Sequence, residues 1–394
     1  MVLFPTSTER PLQHVPYATI SLIAANVILF MVTVSMATAG NSGAMMNLIL
    51  NPDGFHWWQV FSAMFMHAGI LHLGMNMLFL WVFGAHCEDV LGIPLYLTLY
   101  FSAGLAATTL QAGMDLIFFE GMRGGLGASG CIMGLVALFA TRFRRVKVNF
   151  FYWYYFYVGN FRMDAIWVAG IYFAFDLLLG FGSGVGWMGS TTAHFAHIGG
   201  FLCGLVWAWA LKFPEQAADD ELDAEMTRIA ASGAYTLAAT RAEEELQRRP
   251  HDPDLHARAA RYYAMKPDTE HRANEHWNQA LRLWLRRGQT HNALDRWRRL
   301  NCEHPPEVFE ADVLMDLAVA FDNRGDYGEA ARLYAAVAGR HTSGSSARLA
   351  AWRLAQMLQR TGRDEDARRW LQHIIRTWPD STEALDAEAA LDRL

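Results

Sequence analysis

The chain has 394 residues, and its 33 Lys and Arg and 39 Asp and Glu are spread very unevenly. Residues 1–213 carry 8 basic and 8 acidic side chains, whereas residues 214–394 carry the remaining 25 basic and 31 acidic ones. A soluble domain has about a quarter charged residues, so the first segment cannot present an ordinary wetted surface. The composition therefore excludes a single soluble enzyme, a disordered chain and a disulfide-stapled secreted module, and nothing in it is basic enough to indicate nucleic-acid binding. It predicts a membrane domain over 1–213 and a cytoplasmic domain over 214–394.

The first domain contains six apolar segments that are predicted to cross the membrane. A spanning helix needs about 20 mostly apolar residues. The predicted spans are Tyr17–Ala39, Gly69–Gly84, Val90–Met114, Gly124–Thr141, Met163–Gly180 and Ser190–Leu211. A Trp-rich segment, Phe55–Met66, precedes the second span and is predicted to lie at the membrane surface. The fold class is thus predicted to be all-α, a polytopic bundle of six transmembrane helices followed by a cytoplasmic helical repeat domain.

Lys and Arg residues near the ends of the spans predict the orientation, because they are enriched on the cytoplasmic side. The basic residues between spans four and five and after span six are Arg142, Arg144, Arg145, Lys147, Arg162 and Lys212. Segments 40–56 and 180–189 contain no Lys or Arg, and Arg123 is the single exception to the trend. The aromatic run Phe150–Tyr157 suits the cytoplasmic interface. Both termini are therefore predicted to be cytoplasmic, and the lack of disulfide usage and of eukaryotic targeting signals fits a bacterial inner membrane.

The second domain shows an internal period of 37 residues, which is the spacing of Gly288, Gly325 and Gly362. The same spacing separates three alanines, Ala293, Ala330 and Ala367. The placement of small residues resembles helix–turn–helix units of the tetratricopeptide type, which usually have about 34 residues. A generic helical bundle with a coincidental period is the alternative. Repeats of this kind form docking surfaces, so the domain is predicted to bind a cytoplasmic protein partner.

Polar residues within the predicted spans indicate function, because a polar side chain in a bilayer is costly. In span four, GLGASG places Ser129 at the start of a helix, and in span six AHFAHIGGFLCG carries His197. Small residues at four-residue spacing would let these two helices approach closely. They are Gly130 and Gly134 in span four and Gly200 and Gly204 in span six. This approach would bring Ser129 within hydrogen-bond distance of His197, and a serine beside a histidine base is an activated nucleophile.

A hydrolase of this kind also needs donors aimed at the oxyanion. In span two, HLGMN places His72 and Asn76 at i and i+4 on one face of a helix. The N–H of Ser129, at a helix start, is a further donor. No carboxylate is placed by the sequence to orient His197, so a Ser–His dyad is predicted. The four cysteines have no metal-site spacing, and neither a metal nor another cofactor is expected.

These motifs resemble the rhomboid family of intramembrane serine proteases. HLGMN is similar to the family's HxxxN, GASG to GxSG and AHIGGFLCG to AHxxGxxxG, in the family's order, within residues 55–211. The resemblance implies that Ser129 is the nucleophile and His197 the general base. His72 and Asn76 would be oxyanion donors. The implied substrates are single-pass membrane proteins in the lipid bilayer whose transmembrane helix unwinds near the outer face.

Other residues of the matched region are expected to be structural. Glu88 lies where family members often hold an acidic residue, and His67 and His194 are not needed because one base is enough. Many members carry Trp-Arg where this chain has Trp58-Gln59. That departure bears on a salt bridge in the surface segment and not on the chemistry.

Two other functions stay open. A proteolytically silent rhomboid-like scaffold would bind membrane clients and recruit partners through the helical repeats, but silent relatives typically lose the dyad, and Ser129 and His197 are both present. A transporter would predict broken spans in paired halves and charged residues along a pathway. Asp176 is the only acidic residue expected well inside a span. Taken singly, each polar residue also has a structural interpretation, as a serine bonded to its own helix or a histidine bonding two helices.

Overall fold

A computed structural model describes residues 2–40, 47–51, 55–118, 125–184, 193–301, 305–340 and 344–394. The predicted starts of spans four and six, Gly124 and Ser190, lie outside these ranges, as do Arg123 and Cys302. The chain divides into two compact units, Met1–Asp220 and Glu221–Leu394. The helix Phe213–Ala231 runs through this boundary, so the change in composition near residue 213 does not coincide with the end of the first unit.

The first unit is built mainly from apolar helices. They are α1 (Tyr17–Thr38), α2 (Gln59–Ser62), α3 (Ile70–Phe79), α4 (Ala85–Phe118), α5 (Ser129–Arg142), α6 (Ala165–Gly184), α7 (His194–Ala210) and the start of α8 (Phe213–Ala231). Among the described residues, three helical segments are long and apolar enough to cross a membrane: Tyr17–Thr38, Ile70–Phe118 and Ala165–Ser183. A fourth is added if α7 and α8, bent by 67°, form one span. The six-span count therefore stays a prediction.

The segment Ile70–Phe118 is interrupted at Gly92. Its 49 residues exceed the roughly 20 needed for a single crossing. Gly92 has φ +70° and ψ 163°, a backbone conformation that a side chain with a Cβ rarely adopts. The sequence placed the interruption between Gly84 and Val90. The structure instead continues through a π-helical turn, Leu80–Gly84, into the start of α4 and breaks at the glycine.

Glu88 connects the start of α4 to the start of α1. Its carboxylate accepts hydrogen bonds from the N–H groups of Ala18 at 2.8 Å and Thr19 at 2.7 Å. The first turn of a helix leaves these N–H groups without intrahelical acceptors, and a negative charge there is favourable. This contact gives Glu88 the structural role predicted for it.

A three-stranded antiparallel sheet accompanies the helices, which the all-α prediction did not include. Its strands are β1 (Val2–Thr8), β2 (Lys147–Tyr154) and β3 (Tyr157–Asp164), in the order β1–β2–β3. The β2–β3 hairpin begins and ends at an ion pair between Lys147 and Asp164. The aromatic run Phe150–Tyr157 forms the end of β2 and the turn of this hairpin, because aromatic side chains favour strands as well as membrane interfaces.

All of the regular secondary structure among the described residues of the second unit is helical. Beyond α8 its helices are α9 (Tyr235–Leu246), α10 (Pro253–Tyr263), α11 (Glu270–Arg286), α12 (Thr290–Leu300), α13 (Ala311–Asn323), α14 (Tyr327–Arg340), α15 (Ser345–Arg360), α16 (Asp364–Thr377) and α17 (Thr382–Leu391). Gly288, Gly325 and Gly362 lie in the turns of three successive helix pairs, with φ of +72°, +79° and +70°. A residue in the left-handed conformation just after a helix lets the following N–H groups bond to the last carbonyl groups of that helix. Glycine adopts this conformation at the least cost. The 37-residue period thus marks three equivalent turns, while the tetratricopeptide assignment stays a prediction.

A histidine pair in the second unit predicts acid sensitivity. His256 Nδ1 lies 2.9 Å from His276 Nδ1, and His276 Nε2 lies 2.9 Å from a Glu243 carboxylate oxygen. Burial, together with the charge of His276, lowers the pKa of His256 below its ordinary value of 6.5. At a pH between the lowered pKa of His256 in the folded chain and 6.5, its ordinary value in the unfolded chain, His256 is protonated in the unfolded chain but not in the folded one. The contribution of His256 to stability is therefore complete above pH 6.5 and is lost as the pH falls towards its lowered pKa.

The melting temperature of the full chain and the hydrogen-exchange protection of α10 and α11, each measured at pH 7.5 and 5.5, test this effect. Both pH values lie above the range in which ordinary carboxylates titrate. We expect His256→Gln to reduce the loss of protection at pH 5.5. His291→Gln changes an exposed histidine of the same unit and should leave that loss unchanged. The same pH dependence in His256→Gln as in the wild type would contradict the prediction.

Candidate active site

Ser129 is the first residue of α5 and directly follows a glycine-rich turn. In this turn Gly127 has φ +127° and donates its N–H to the carbonyl oxygen of Ala63 at 2.8 Å. From Gly130 to Ala140 every residue of α5 is buried, so this 14-residue helix lies in the centre of the unit. Because the first N–H groups of a helix have no intrahelical acceptor, the Ser129 hydroxyl lies beside available donors.

His197 lies in the first turn of α7 and faces Ser129. Its Nε2 is 2.8 Å from the Ser129 Oγ. This distance is within the range that direct proton transfer between a nucleophile and its base requires. The structure therefore brings together the two residues that the sequence analysis paired.

Direct backbone contact between α5 and α7 makes that distance possible. A Cβ added to Gly200 would lie 2.8 Å from the carbonyl carbon of Gly130, and one added to Gly204 would lie 2.8 Å from that of Gly134. Real Cβ atoms do not approach backbone this closely, so a larger residue at either α7 position would separate the helices. The predicted close approach of these two helices is confirmed.

Asp176 shows that the expectation of no orienting carboxylate was wrong. This α6 residue places Oδ1 and Oδ2 at 3.0 and 3.1 Å from His197 Nδ1, and its Oδ1 lies 2.8 Å from His194 Nδ1. His194, expected to be structural, therefore contacts the same carboxylate. The pairing of Asp176 with His197 is not visible in the sequence, because the two lie 21 residues apart on different helices. The one available cue was an acidic residue within an apolar span.

Asp115 corrects a second expectation, that Asp176 is the only acidic residue well inside a span. The helix α4 continues to Phe118, beyond the predicted end of span three, and Asp115 is fully buried in it. Gln111 donates from Nε2 to Asp115 at 2.7 Å and accepts the N–H of Ala196 on Oε1 at 3.0 Å. These bonds connect α4 to the first turn of α7, next to His197.

His72 lies next to the turn that precedes Ser129. Its Nδ1 accepts the N–H of Ala68 at 3.4 Å, which favours the tautomer with the proton on Nε2. This Nε2 would lie 3.1 Å from a Cβ placed on Gly127. A neutral His72 therefore presents a donor beside the nucleophile.

Asn76 lies one turn further along α3 and is buried. Its Nδ2 donates to the carbonyl oxygen of His72 at 2.9 Å, so one of its two N–H groups is used within its own helix. His67 is also buried and packs edge-on against the His72 ring, at 5.1 Å between centroids. The structure thus places His72 beside the turn that precedes Ser129, while Asn76 donates to the backbone of His72.

A cavity of about 360 Å³ opens beside Ser129. Its mostly apolar walls come from residues that include Leu50, Phe55, Val60, Ala63, Met64, Ala107 and Leu126. Thr108 and Gln111 add polar atoms. This volume lies in the range of ligand pockets, about 300–1,000 Å³, and the walls suit apolar side chains of a bound peptide.

One group of possible metal ligands occurs among the described residues. Asp176, His194 and His197 place their ligand atoms within 4.8 Å of one another. Two imidazoles and a carboxylate are a donor set that Zn²⁺ accepts. In this structure the same atoms are joined to each other by hydrogen bonds, and the absence of a metal or other cofactor stays a prediction.

Comparison with known proteins gives consistent matches. A model of the rhomboid domain matches residues 54–213. Rhomboid protein 1, mitochondrial, of Saccharomyces cerevisiae is 28% identical over 158 residues, which are 38% of this chain and 40% of that protein. Rhomboid protease GluP of Bacillus subtilis is 28% identical over 163 residues, 41% of this chain and 27% of GluP. The chain thus spans less than half the length of either relative.

A second rhomboid-named protein of Bacillus subtilis, YdcA, is 30% identical over 153 residues, which are 37% of this chain but 68% of that protein. The matched domain contains α2 to α7, whose long apolar helices identify an integral membrane protein. With the match to the domain model and the coverage of most of YdcA, the chain belongs to the rhomboid family.

Proposed function

We propose that this protein is an intramembrane serine endopeptidase that cleaves transmembrane segments of single-pass membrane proteins. The observation that carries the proposal is the 2.8 Å separation of Ser129 Oγ and His197 Nε2. A nucleophile within hydrogen-bond reach of a base is the minimum arrangement for acyl transfer through a covalent intermediate. Relatives named as rhomboid proteases, such as GluP, support this reaction class.

The reaction begins when Ser129 Oγ attacks the scissile carbonyl carbon and His197 Nε2 takes the hydroxyl proton. The negative charge that forms on the carbonyl oxygen is met by the N–H of Ser129 and by the Nε2–H of His72, with Asn76 as a further donor. The C–N bond then breaks, His197 protonates the leaving amine, and the acyl group stays on Ser129. A water molecule deprotonated by His197 cleaves this ester and releases the new carboxyl terminus.

The substrate must present an extended segment to Ser129, because a peptide bond within a helix is already hydrogen-bonded and shielded. Two single-pass substrates test this requirement. They differ only in the outer quarter of the transmembrane segment, which contains Gly and Pro in one and Leu in the other. In proteoliposomes we expect the first to be cleaved at least about tenfold faster, since glycine weakens a helix by about 1 kcal/mol per residue and proline by more. Mass spectrometry of the products locates the cleavage site.

The two substrates also distinguish a failure of the unwinding requirement from a failure of the proposed endopeptidase activity. Equal cleavage of both would contradict the unwinding step. A folded protein that yields no product from either substrate, and no labelling by a serine-reactive fluorophosphonate, would contradict the endopeptidase. The silent scaffold is not favoured, because silent relatives lose the pair that Ser129 and His197 form here.

We also propose an orientation and a role for the second unit. The basic residues between α5 and α6 support cytoplasmic termini. The membrane that we propose is a bacterial inner membrane. The helix pairs with in-phase glycine turns support a surface that binds a cytoplasmic protein partner.

A further inference from the structure

A carboxylate that the proposed mechanism does not use faces the base. Asp176 is 7% exposed, and both of its oxygens lie within hydrogen-bond distance of His197 Nδ1, at 3.0 and 3.1 Å. The other ring nitrogen of His197, Nε2, lies 2.8 Å from Ser129 Oγ. The three side chains form a continuous hydrogen-bonded series from the carboxylate to the hydroxyl.

The position of the carboxylate at Nδ1 determines which ring nitrogen of His197 can accept a proton. An ionised carboxylate only accepts hydrogen bonds, so a His197 ring bonded to it carries a proton on Nδ1. In the neutral ring the lone pair is then on Nε2, the atom that must accept the Ser129 proton. Without an acceptor at Nδ1 the ring could carry its single proton on Nε2, where it would donate to Ser129 and could not act as a base.

His194 holds the same carboxylate in place. Its Nδ1 lies 2.8 Å from Asp176 Oδ1, and its side chain is 7% exposed. His194 and His197 are three residues apart on α7 and share a face, so one carboxylate of α6 receives donors from both. Two further titratable groups among the described residues act on this cluster: His72 of α3 interacts with His197, and Tyr172 of α6 interacts with Asp176.

We propose that Asp176 is a positioning residue for the reaction. It accepts the Nδ1–H of His197, fixes the tautomer that can deprotonate Ser129, and faces the imidazolium that forms when the proton is transferred. His194 keeps the carboxylate in this position. The proposal rests on the proposed function and extends the serine–histidine pair to three residues carried by α5, α7 and α6.

Asp176→Asn in the full-length protein tests this role, because it keeps the shape but presents an amide N–H that favours the wrong tautomer. We expect kcat for a model transmembrane substrate to fall by about 10²–10⁴-fold, with KM changed by no more than about threefold. The rate constant for fluorophosphonate labelling should fall in parallel.

Asp89→Asn is the matched control. Its carboxylate is also buried in the first unit, at 1% side-chain exposure, but it bonds to Arg10 and to the N–H groups of Gln13 and His14, away from Ser129. This variant should lower the melting temperature without changing kcat, KM or the rate constant for fluorophosphonate labelling. A purely structural role for Asp176 would give the same result in both variants and would overturn the proposal.

Ser129→Ala, measured in parallel, separates this proposal from the proposed function. If Ser129→Ala still cleaves, the proposed function fails. If Ser129→Ala is inactive while folded Asp176→Asn keeps the wild-type kcat, only the positioning role fails. Should Asp176→Asn not fold, Asp176→Glu decides, because it keeps the charge but moves the oxygens by one methylene group. A wild-type kcat in that variant would overturn the role, and a lower kcat at unchanged KM would support it.

Discussion

Ser129→Ala is expected to abolish both cleavage of a model transmembrane substrate and labelling by a fluorophosphonate. The change removes the Oγ atom that forms the acyl intermediate, and loss of the nucleophile lowers the turnover of a serine protease by roughly 10⁶-fold. The hydroxyl contributes one hydrogen bond to His197, so its loss costs only about 0.5–1.5 kcal/mol of stability. The amount of folded protein in the membrane should therefore stay the same.

Ser21→Ala provides the control for this experiment. Ser21 is an exposed residue of α1 whose hydroxyl donates to the carbonyl oxygen of Tyr17 at 2.8 Å. Ser21→Ala also removes a serine Oγ from the first unit, but it should leave cleavage and labelling at wild-type rates. Gel-based cleavage and fluorescent labelling of both variants in one membrane preparation give the comparison. Cleavage that survives Ser129→Ala would show that another residue attacks the substrate.

The pairing of Ser129 with His197 was predictable because the information is local. Each residue lies in a short motif at a helix start, and glycines repeated every four residues on both helices indicate which faces meet. Asp176 could not be predicted in the same way. Whether an α6 side chain reaches His197 depends on the rotation of α6 about its axis, which packing sets and the apolar composition of that helix does not specify.

The sheet was missed for a related reason. The strand β1 pairs with residues far along the chain, with Val2 opposite Trp153, and local patterns do not report such distant pairing. The aromatic run in β2 fits a strand and a membrane interface equally well. The predicted interruption, between Gly84 and Val90, lies before the observed break at Gly92. Composition shows that an apolar segment is too long for one helix but does not show which residue adopts positive φ. In contrast, the glycines of the second unit were found by their period, since each closes an equivalent turn.

Gly200→Ala is expected to destabilise the first unit and to remove activity, although Ser129 and His197 are unchanged. The added Cβ would meet the backbone of Gly130, and neither backbone can move without separating α5 from α7. Overpacking of this kind costs about 1–3 kcal/mol or more. A displacement of about 1 Å between reacting groups lowers a rate by about 10²-fold. We therefore expect a lower melting temperature in detergent and at least about a 10²-fold loss of cleavage in the protein that stays folded.

Gly170→Ala is the matched control, because it adds the same methyl group at an exposed position within α6. A Cβ at Gly170 would meet no atom within 4 Å. Alanine is the better helix former by about 1 kcal/mol, so this variant should be as stable as the wild type or slightly more so, with unchanged cleavage. Parallel thermal unfolding and cleavage assays compare the two substitutions. A Gly200→Ala protein that melts and cleaves like Gly170→Ala would mean that direct contact between α5 and α7 is not what holds His197 against Ser129.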